Sequence, residues 1–193
     1  ARRQRQMCIR DSYGYIVFPT ALGHCGLAWA GRGIVRLQLP GADAGETEKL
    51  LQKRLPSASI AVPETRTREV IAMITRYFGG EAIDFKAVDL YLAGQERFFL
   101  DVYAVARQVG WGNTTTYGGI VKTLGLGMER ARDVGQAMAK NPVPLIIPCH
   151  RVLAAGGRLG GFSAPGGTTT KLRMLDLENA GRSRADDAQG SLF

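Results

Sequence analysis

Residues 141–152 read Asn141-Pro142-Val143-Pro144-Leu145-Ile146-Ile147-Pro148-Cys149-His150-Arg151-Val152. The three prolines remove backbone donors and hold the chain extended, which puts Cys149 on a rigid, irregular segment. Rigidity suits a nucleophile that must meet its target in one geometry. A thiol reacts as its thiolate, and His150 and Arg151 beside it are expected to depress its pKa. Adjacent side chains seldom bond directly, so a bridging water between Cys149 and His150 fits the spacing. The alternative is a buried structural cysteine, and the Pro-Cys-His-Arg setting speaks against it.

Outward from this run the second half reads as helices. Phe98, Val102, Val105 and Val109 recur with a period near 3.6, and Gly110-Trp111-Gly112 closes that helix. Thr115 or Thr116 can cap a short helix through Lys122. A Gly125-Leu126-Gly127 turn leads to a helix at about 129–140, closed before Asn141-Pro142. Helix, glycine turn, helix, with basic residues on the second member, is the pattern of a helix-turn-helix. On that second helix Ala131, Val134 and Met138 share a side that packs inward. Arg132, Gly135 and Ala139 share a neighbouring side. Small residues there suit either a helix lying close to a groove or tight helix-helix packing. The last helix is expected at about 170–180, followed by a polar stretch.

The first half reads as strands at 13–19, 26–30 and 34–39, rich in β-branched, aromatic and aliphatic residues between turn residues. Helices follow at about 46–55 and 67–78, the second with Val70, Ile71, Ile74 and Phe78 at helical spacing and Gly79-Gly80 as its stop. The fold class is therefore α+β: a strand-rich α/β domain with its connector (1–94), a mostly helical domain with the helix-turn-helix (95–180), and a polar tail (181–193).

The chain has 193 residues and a formal net charge of +8, which favours an anionic partner. Between positions 116 and 173, Lys122, Arg130, Arg132, Lys140, Arg151, Arg158, Lys171 and Arg173 face only Glu129 and Asp133. That local excess points to nucleic acid ahead of a merely solvated face. No apolar run approaches a membrane span and no signal core is evident, so the reading is a cytoplasmic protein. Cys8, Cys25 and Cys149 are too few and scattered for a disulfide framework. His24 beside Cys25 suggests a metal site only weakly, because neighbours on a strand point to opposite faces. Neither a metal nor a cofactor is expected.

The run from Asn141 to Val152 resembles the signature of the methylated-DNA–protein-cysteine methyltransferases, also called alkylguanine-DNA alkyltransferases. The resemblance covers about 98–180 well and the first half loosely. It implies a monomeric, base-flipping repair protein that acts on double-stranded DNA containing O6-alkylguanine, and O4-alkylthymine as a further substrate, once per molecule and without a cofactor. By the same resemblance Cys149 accepts the alkyl group, His150 is its base through water, Glu178 orients His150, and Tyr117 assists flipping and protonates the departing guanine. Arg132 enters the duplex in place of the flipped base, with Gly135 beside it, and Asn141 bridges the recognition helix and the active-site loop. Arg151, Lys122 and Lys140 are assigned to the DNA contacts. Val152, Phe162, Ser163 and Met138 line the base pocket.

The chain departs from the family where Gly110-Trp111-Gly112 replaces Pro-x-Gly, Tyr103 replaces Trp, Asp133 replaces Ala, and Phe162 replaces a tyrosine. Two rival functions are a cysteine hydrolase using Cys149 and His150, and a non-reactive lesion binder or regulator. The first leaves the helix-turn-helix without a role, and binding-only relatives replace the acceptor cysteine. In the tail, Gln189, Leu192 and Phe193 resemble the bacterial sliding-clamp-binding motif, against the plain reading of a frayed terminus.

Overall fold

Three consecutive strands open the fold in the computed structural model, which describes residues 12–179. β1 (Gly14–Thr20), β2 (Gly23–Ala30) and β3 (Gly33–Gln38) pair antiparallel, and β4 (Ser59–Ile60) joins β1 in parallel, giving the order β3-β2-β1-β4. β2 starts three residues before the expected 26 because the hairpin is tight: Thr20 pairs with Gly23, whose φ of 131° suits a residue without a side chain. Side chains alternate across the sheet. On one face Tyr15 and Ala28 pack with Leu51 of α1 (Ala44–Arg54), a helix capped by Asp43, which accepts from Glu46 N at 2.8 Å. On the other, Leu27, Trp29 and Ile34 join the main core with Val70 and Ile74 of α2 (Thr65–Phe78).

The second half holds α3 (Arg97–Ala106), α4 (Tyr117–Thr123), α5 (Ala131–Ala139) and α6 (Gly167–Leu177). A parallel ladder of β5 (Thr115–Thr116) and β6 (Val152–Leu153) links them. The α+β reading holds, with shifts at several helix ends; α6 also begins three residues before the expected 170. α3 stops before Val109, because Gln108 N and Val109 N bond back three residues to Val105 O and Ala106 O. α5 is entered through a 3-10 turn, Met128–Arg130. α6 ends at Leu177 rather than near 180, so Glu178 is its C-cap and not an interior residue.

One apolar cluster runs from Leu27 and Trp29 through Phe78, Val102, Ile120, Val134 and Ile147 to Met174, so the two halves share a core. A backbone bond from Leu37 N to Pro142 O at 3.1 Å ties β3 to the proline-rich loop. That loop is thereby held from both halves. Among the described residues no helix is long and apolar enough to cross a membrane.

Candidate active site

Asn141 organises the loop. Its Nδ2 donates to Ile147 O at 2.8 Å and its Oδ1 accepts from Val143 N at 2.9 Å, so one buried amide closes the turn between α5 and Cys149. Within it, Leu145 is fully buried with φ 73°, a left-handed conformation that costs a leucine on the order of 1–2 kcal/mol and that packing must hold. Cys149 then opens a 3-10 turn, Cys149–Arg151.

Cys149 is buried, only 6% of the residue being exposed, and burial pushes the thiol pKa up to about 11. Opposing that rise are a hydrogen bond from Asn141, the charge of Lys171, and the backbone N–H groups of Cys149 and His150. This corrects the expected depression by His150 and Arg151. The nearby cation is Lys171, which sequence reasoning missed. It is fully buried, its Nζ donates to Val152 O at 2.7 Å, and burial lowers its own pKa against the pull of Cys149. A lysine beside Leu172 and Arg173 at the start of a helix carries no sign of burial.

His150 and Glu178 form a buried pair, Nε2 to Oε1 at 2.7 Å. Arg151, expected at the DNA face, is corrected to an interior position. Its Nε lies 3.0 Å from Glu178 Oε2, its Nη2 2.9 Å from Oε1, and its Nη1 donates to Val109 O at 2.6 Å. Two further donors reach the carboxylate: Tyr77 Oη at 2.6 Å to Oε1, and Gly112 N at 3.2 Å to Oε2. Burial raises the Glu178 pKa, but the hydrogen bonds and charges of His150 and Arg151 outweigh it and hold the carboxyl at about 2. Glu178 is thus an anion saturated with donors, and His150 presents Nε2–H to it. Burial lowers the His150 pKa against the pull of Glu178, so the imidazole is neutral at neutral pH. Its other nitrogen, Nδ1, is buried with no hydrogen-bond partner among the described residues. That leaves one free lone pair on the imidazole.

Cys149 lines a cavity of about 400 Å³ together with Asn141, Pro144, Phe162 and Ser163, with Leu37 of β3 and with Leu39 just beyond its end. Met138 and Val152 lie instead in the buried core and are not among its lining residues. Tyr117 starts α4, capped by Thr116, which accepts from Gly119 N at 3.0 Å. Burial and the proximity of Cys149 raise the Tyr117 pKa, so its phenol is a proton carrier at neutral pH. Gly160, at φ 65°, leaves room for that hydroxyl, which a Cβ there would meet at 3.1 Å.

α4, the turn and α5 form the helix-turn-helix. Val134, Ala137 and Met138 pack inward, while Arg132, Ala139, Lys140 and Lys122 are exposed. Nothing lies within 4 Å of where a Gly135 Cβ would stand, so helix packing does not require that glycine. Asp133 pairs with Arg130 at 2.6 Å, which occupies its charge away from Arg132. Tyr103, in the place of the family tryptophan, donates to Ala137 O at 2.9 Å and pins α3 to α5. His24 is exposed and Cys25 buried, on opposite faces of β2. Cys8 and the Gln189, Leu192, Phe193 motif lie outside the described residues.

A helix-turn-helix flanking a cavity that contains a buried thiol, with a neutral histidine beside it, defines a nucleic-acid-facing protein with a nucleophilic cysteine. Residues 97–180 match the family model described as the 6-O-methylguanine DNA methyltransferase, DNA binding domain. The methylated-DNA–protein-cysteine methyltransferase of Sulfolobus acidocaldarius is 34% identical over 165 residues, covering 85% of this chain and 92% of that protein. A DNA base-flipping protein of Thermus thermophilus is 36% identical over 162 residues, covering 84% and 97%. The crystal structure of Mycobacterium tuberculosis OGT in complex with DNA superposes with a TM-score of 0.69 at 27% identity, covering 86% of this chain and 93% of that one. The chain belongs to the methylated-DNA–protein-cysteine methyltransferase family.

Proposed function

We propose that this protein repairs DNA directly, moving an alkyl group from O6 of a guanine onto Sγ of Cys149 once per molecule. The observation that carries the reading is the buried Cys149 thiol lining a cavity beside the His150–Glu178 pair. An alkylated base inside a duplex is out of reach of such a sulfur, so the nucleotide must leave the stack and enter the cavity. Arg132 on the exposed side of α5 takes its place in the duplex, and Lys122 and Lys140 hold the backbone.

Beneath the cavity wall, His150 Nδ1 takes the Cys149 proton through an intervening water. Sγ attacks the alkyl carbon, the S–C bond forms and the C–O6 bond breaks. The bonding pair leaves on the guanine, which takes a proton from Tyr117. Glu178 stabilises the imidazolium, and Lys171 the thiolate. No cofactor enters this balance. The product thioether has no leaving group to return the protein, so each molecule reacts once. An alkyl group on O4 of thymine offers the same carbon–oxygen bond, and the proposal extends to it. Cys149→Ala tests the assignment: DNA binding should persist with transfer abolished, and methyl transfer by that variant would overturn it.

A binding-only role is the second reading, prompted by the name of the Thermus thermophilus relative. Cys149 set against a histidine base gives chemistry that pure binding does not use. We further propose that the protein acts as a cytoplasmic monomer and that Gln189, Leu192 and Phe193 tether it to a bacterial sliding clamp, raising its local concentration on DNA. Fluorescence titration with the clamp should show binding that Leu192→Ala/Phe193→Ala abolishes. Equal binding by both chains would discard the tether.

A further inference from the structure

Tyr77, the penultimate residue of α2, is fully buried, and its hydroxyl touches both members of the base pair from the N-terminal half of the chain. The hydroxyl donates to Glu178 Oε1 at 2.6 Å and stands 3.3 Å from His150 Nε2. Its ring is fixed edge-on by Phe78 at 5.1 Å and by Trp111 at 5.3 Å between centroids. Tyr77 does not line the cavity that contains Cys149, so it is no substrate contact.

We propose that Tyr77 is a positioning residue for alkyl transfer: its hydroxyl pins Glu178 Oε1 and shares the Nε2–H of His150, so the N-terminal half sets the orientation and basicity of the base. This rests on the reading that Cys149 accepts the alkyl group with His150 as its base. Glu178 Oε1 receives hydrogen bonds from Tyr77, His150 and Arg151. Each donor that shares an oxygen draws charge from it, and so weakens what the others feel. The titratable groups facing His150 are Glu178 and Lys171 from α6 and its cap, Arg151 and Cys149 from its own turn, and Tyr77 from α2. The segment at 110–112 adds only the neutral Trp111 ring and the Gly112 N–H. Burial and the Glu178 charge push the Tyr77 phenol up, so it stays a donor throughout the working range. Without the hydroxyl, Oε1 places more charge on Nε2–H, His150 holds a proton to higher pH, and one restraint on the carboxylate is lost.

Tyr77→Phe in the full chain, followed by single-turnover transfer from O6-methylguanine duplex across pH, tests this. The acid limb of the rate profile should move to higher pH by about half a unit or more, with the plateau roughly tenfold lower and DNA affinity changed by less than about twofold. An unchanged acid limb would overturn the proposal, even with a stability loss, because a merely structural tyrosine leaves the base untouched. Should the variant not fold, proton and ¹⁵N NMR of the wild-type protein decides. Protonated Nε2, bare Nδ1 and a slowly exchanging Tyr77 hydroxyl proton are expected, and a fast-exchanging hydroxyl contradicts them. Failure of the wild type itself to transfer would instead strike the reading of Cys149.

Discussion

Arg151 grips Glu178 with two nitrogens, Nε at 3.0 Å from Oε2 and Nη2 at 2.9 Å from Oε1, in an interior where both residues are buried. Planar two-point bonding of this kind is specific to a guanidinium. Because the folded Glu178 carboxyl is held at about 2, below its ordinary value of 4.5, it binds its proton less readily folded than unfolded. Its contribution to stability is therefore fully present above about pH 4.5 and is lost as pH falls towards 2. At pH 7 Glu178→Gln should cost roughly 3–5 kcal/mol, since it leaves Arg151 charged, buried and unpaired. Denaturant melts at a series of pH values should show the gap to wild type closing between pH 4.5 and 2. A constant gap would mean the carboxylate is not ionised by its partners.

The second expectation concerns the thiol. With Cys149 pushed up to about 11 and His150 neutral at neutral pH, deprotonation near pH 7 depends on the base. Wild-type transfer should be flat from pH 7 to 9. His150→Ala should be slower by about 10²-fold or more at pH 7 and recover about tenfold per pH unit on approaching 11. Rapid single-turnover kinetics checks this. A variant rate independent of pH would show that the thiolate forms without His150.

Gly135 gives a test with opposite signs for fold and function. A Cβ there meets nothing within 4 Å, and alanine in a helix interior is favoured over glycine by roughly 0.5–1 kcal/mol. Gly135→Ala should raise the thermal midpoint while weakening DNA binding, because in the proposed complex the added methyl stands where the helix approaches the groove. Thermal melts and DNA titrations on the same sample read both. Unchanged affinity would remove this face of α5 from the interface.

Arg132→Ala should slow repair in duplex DNA at least about tenfold more than reaction with free O6-benzylguanine, which needs no flipping. Equal slowing would reduce Arg132 to a support for the fold. Lys122→Ala and Lys140→Ala should weaken binding across all sequences and each reduce the salt slope by about one.

The local geometry of one short run was legible. The prolines and the Cys149-His150 pair announce a rigid nucleophile, and the period of Val70, Ile74 and Phe78 announces α2. What stayed hidden is the partner of each polar group. Tyr77 falls on the buried stripe of α2, yet nothing local says that its hydroxyl meets a carboxylate 101 positions away. Arg151 and Lys171 were counted as surface cations because basic residues are seldom buried, and only tertiary packing supplies the Glu178 carboxylate and the Val152 carbonyl that make burial tolerable. Val152 was assigned to the pocket from its place in the motif, while its pairing with Thr115 carries it into the core; Met138 lies on the inward side of its helix, as its spacing predicts.

The central claim is that Cys149 carries away the alkyl group, and intact-mass spectrometry after mixing the protein with O6-methylguanine duplex tests it most directly. The account predicts a gain of one methyl group per chain, mapped to the peptide containing Cys149, with no further gain when more substrate is added. An unchanged mass while the lesion stays bound, or a methyl group on any other residue, would contradict it.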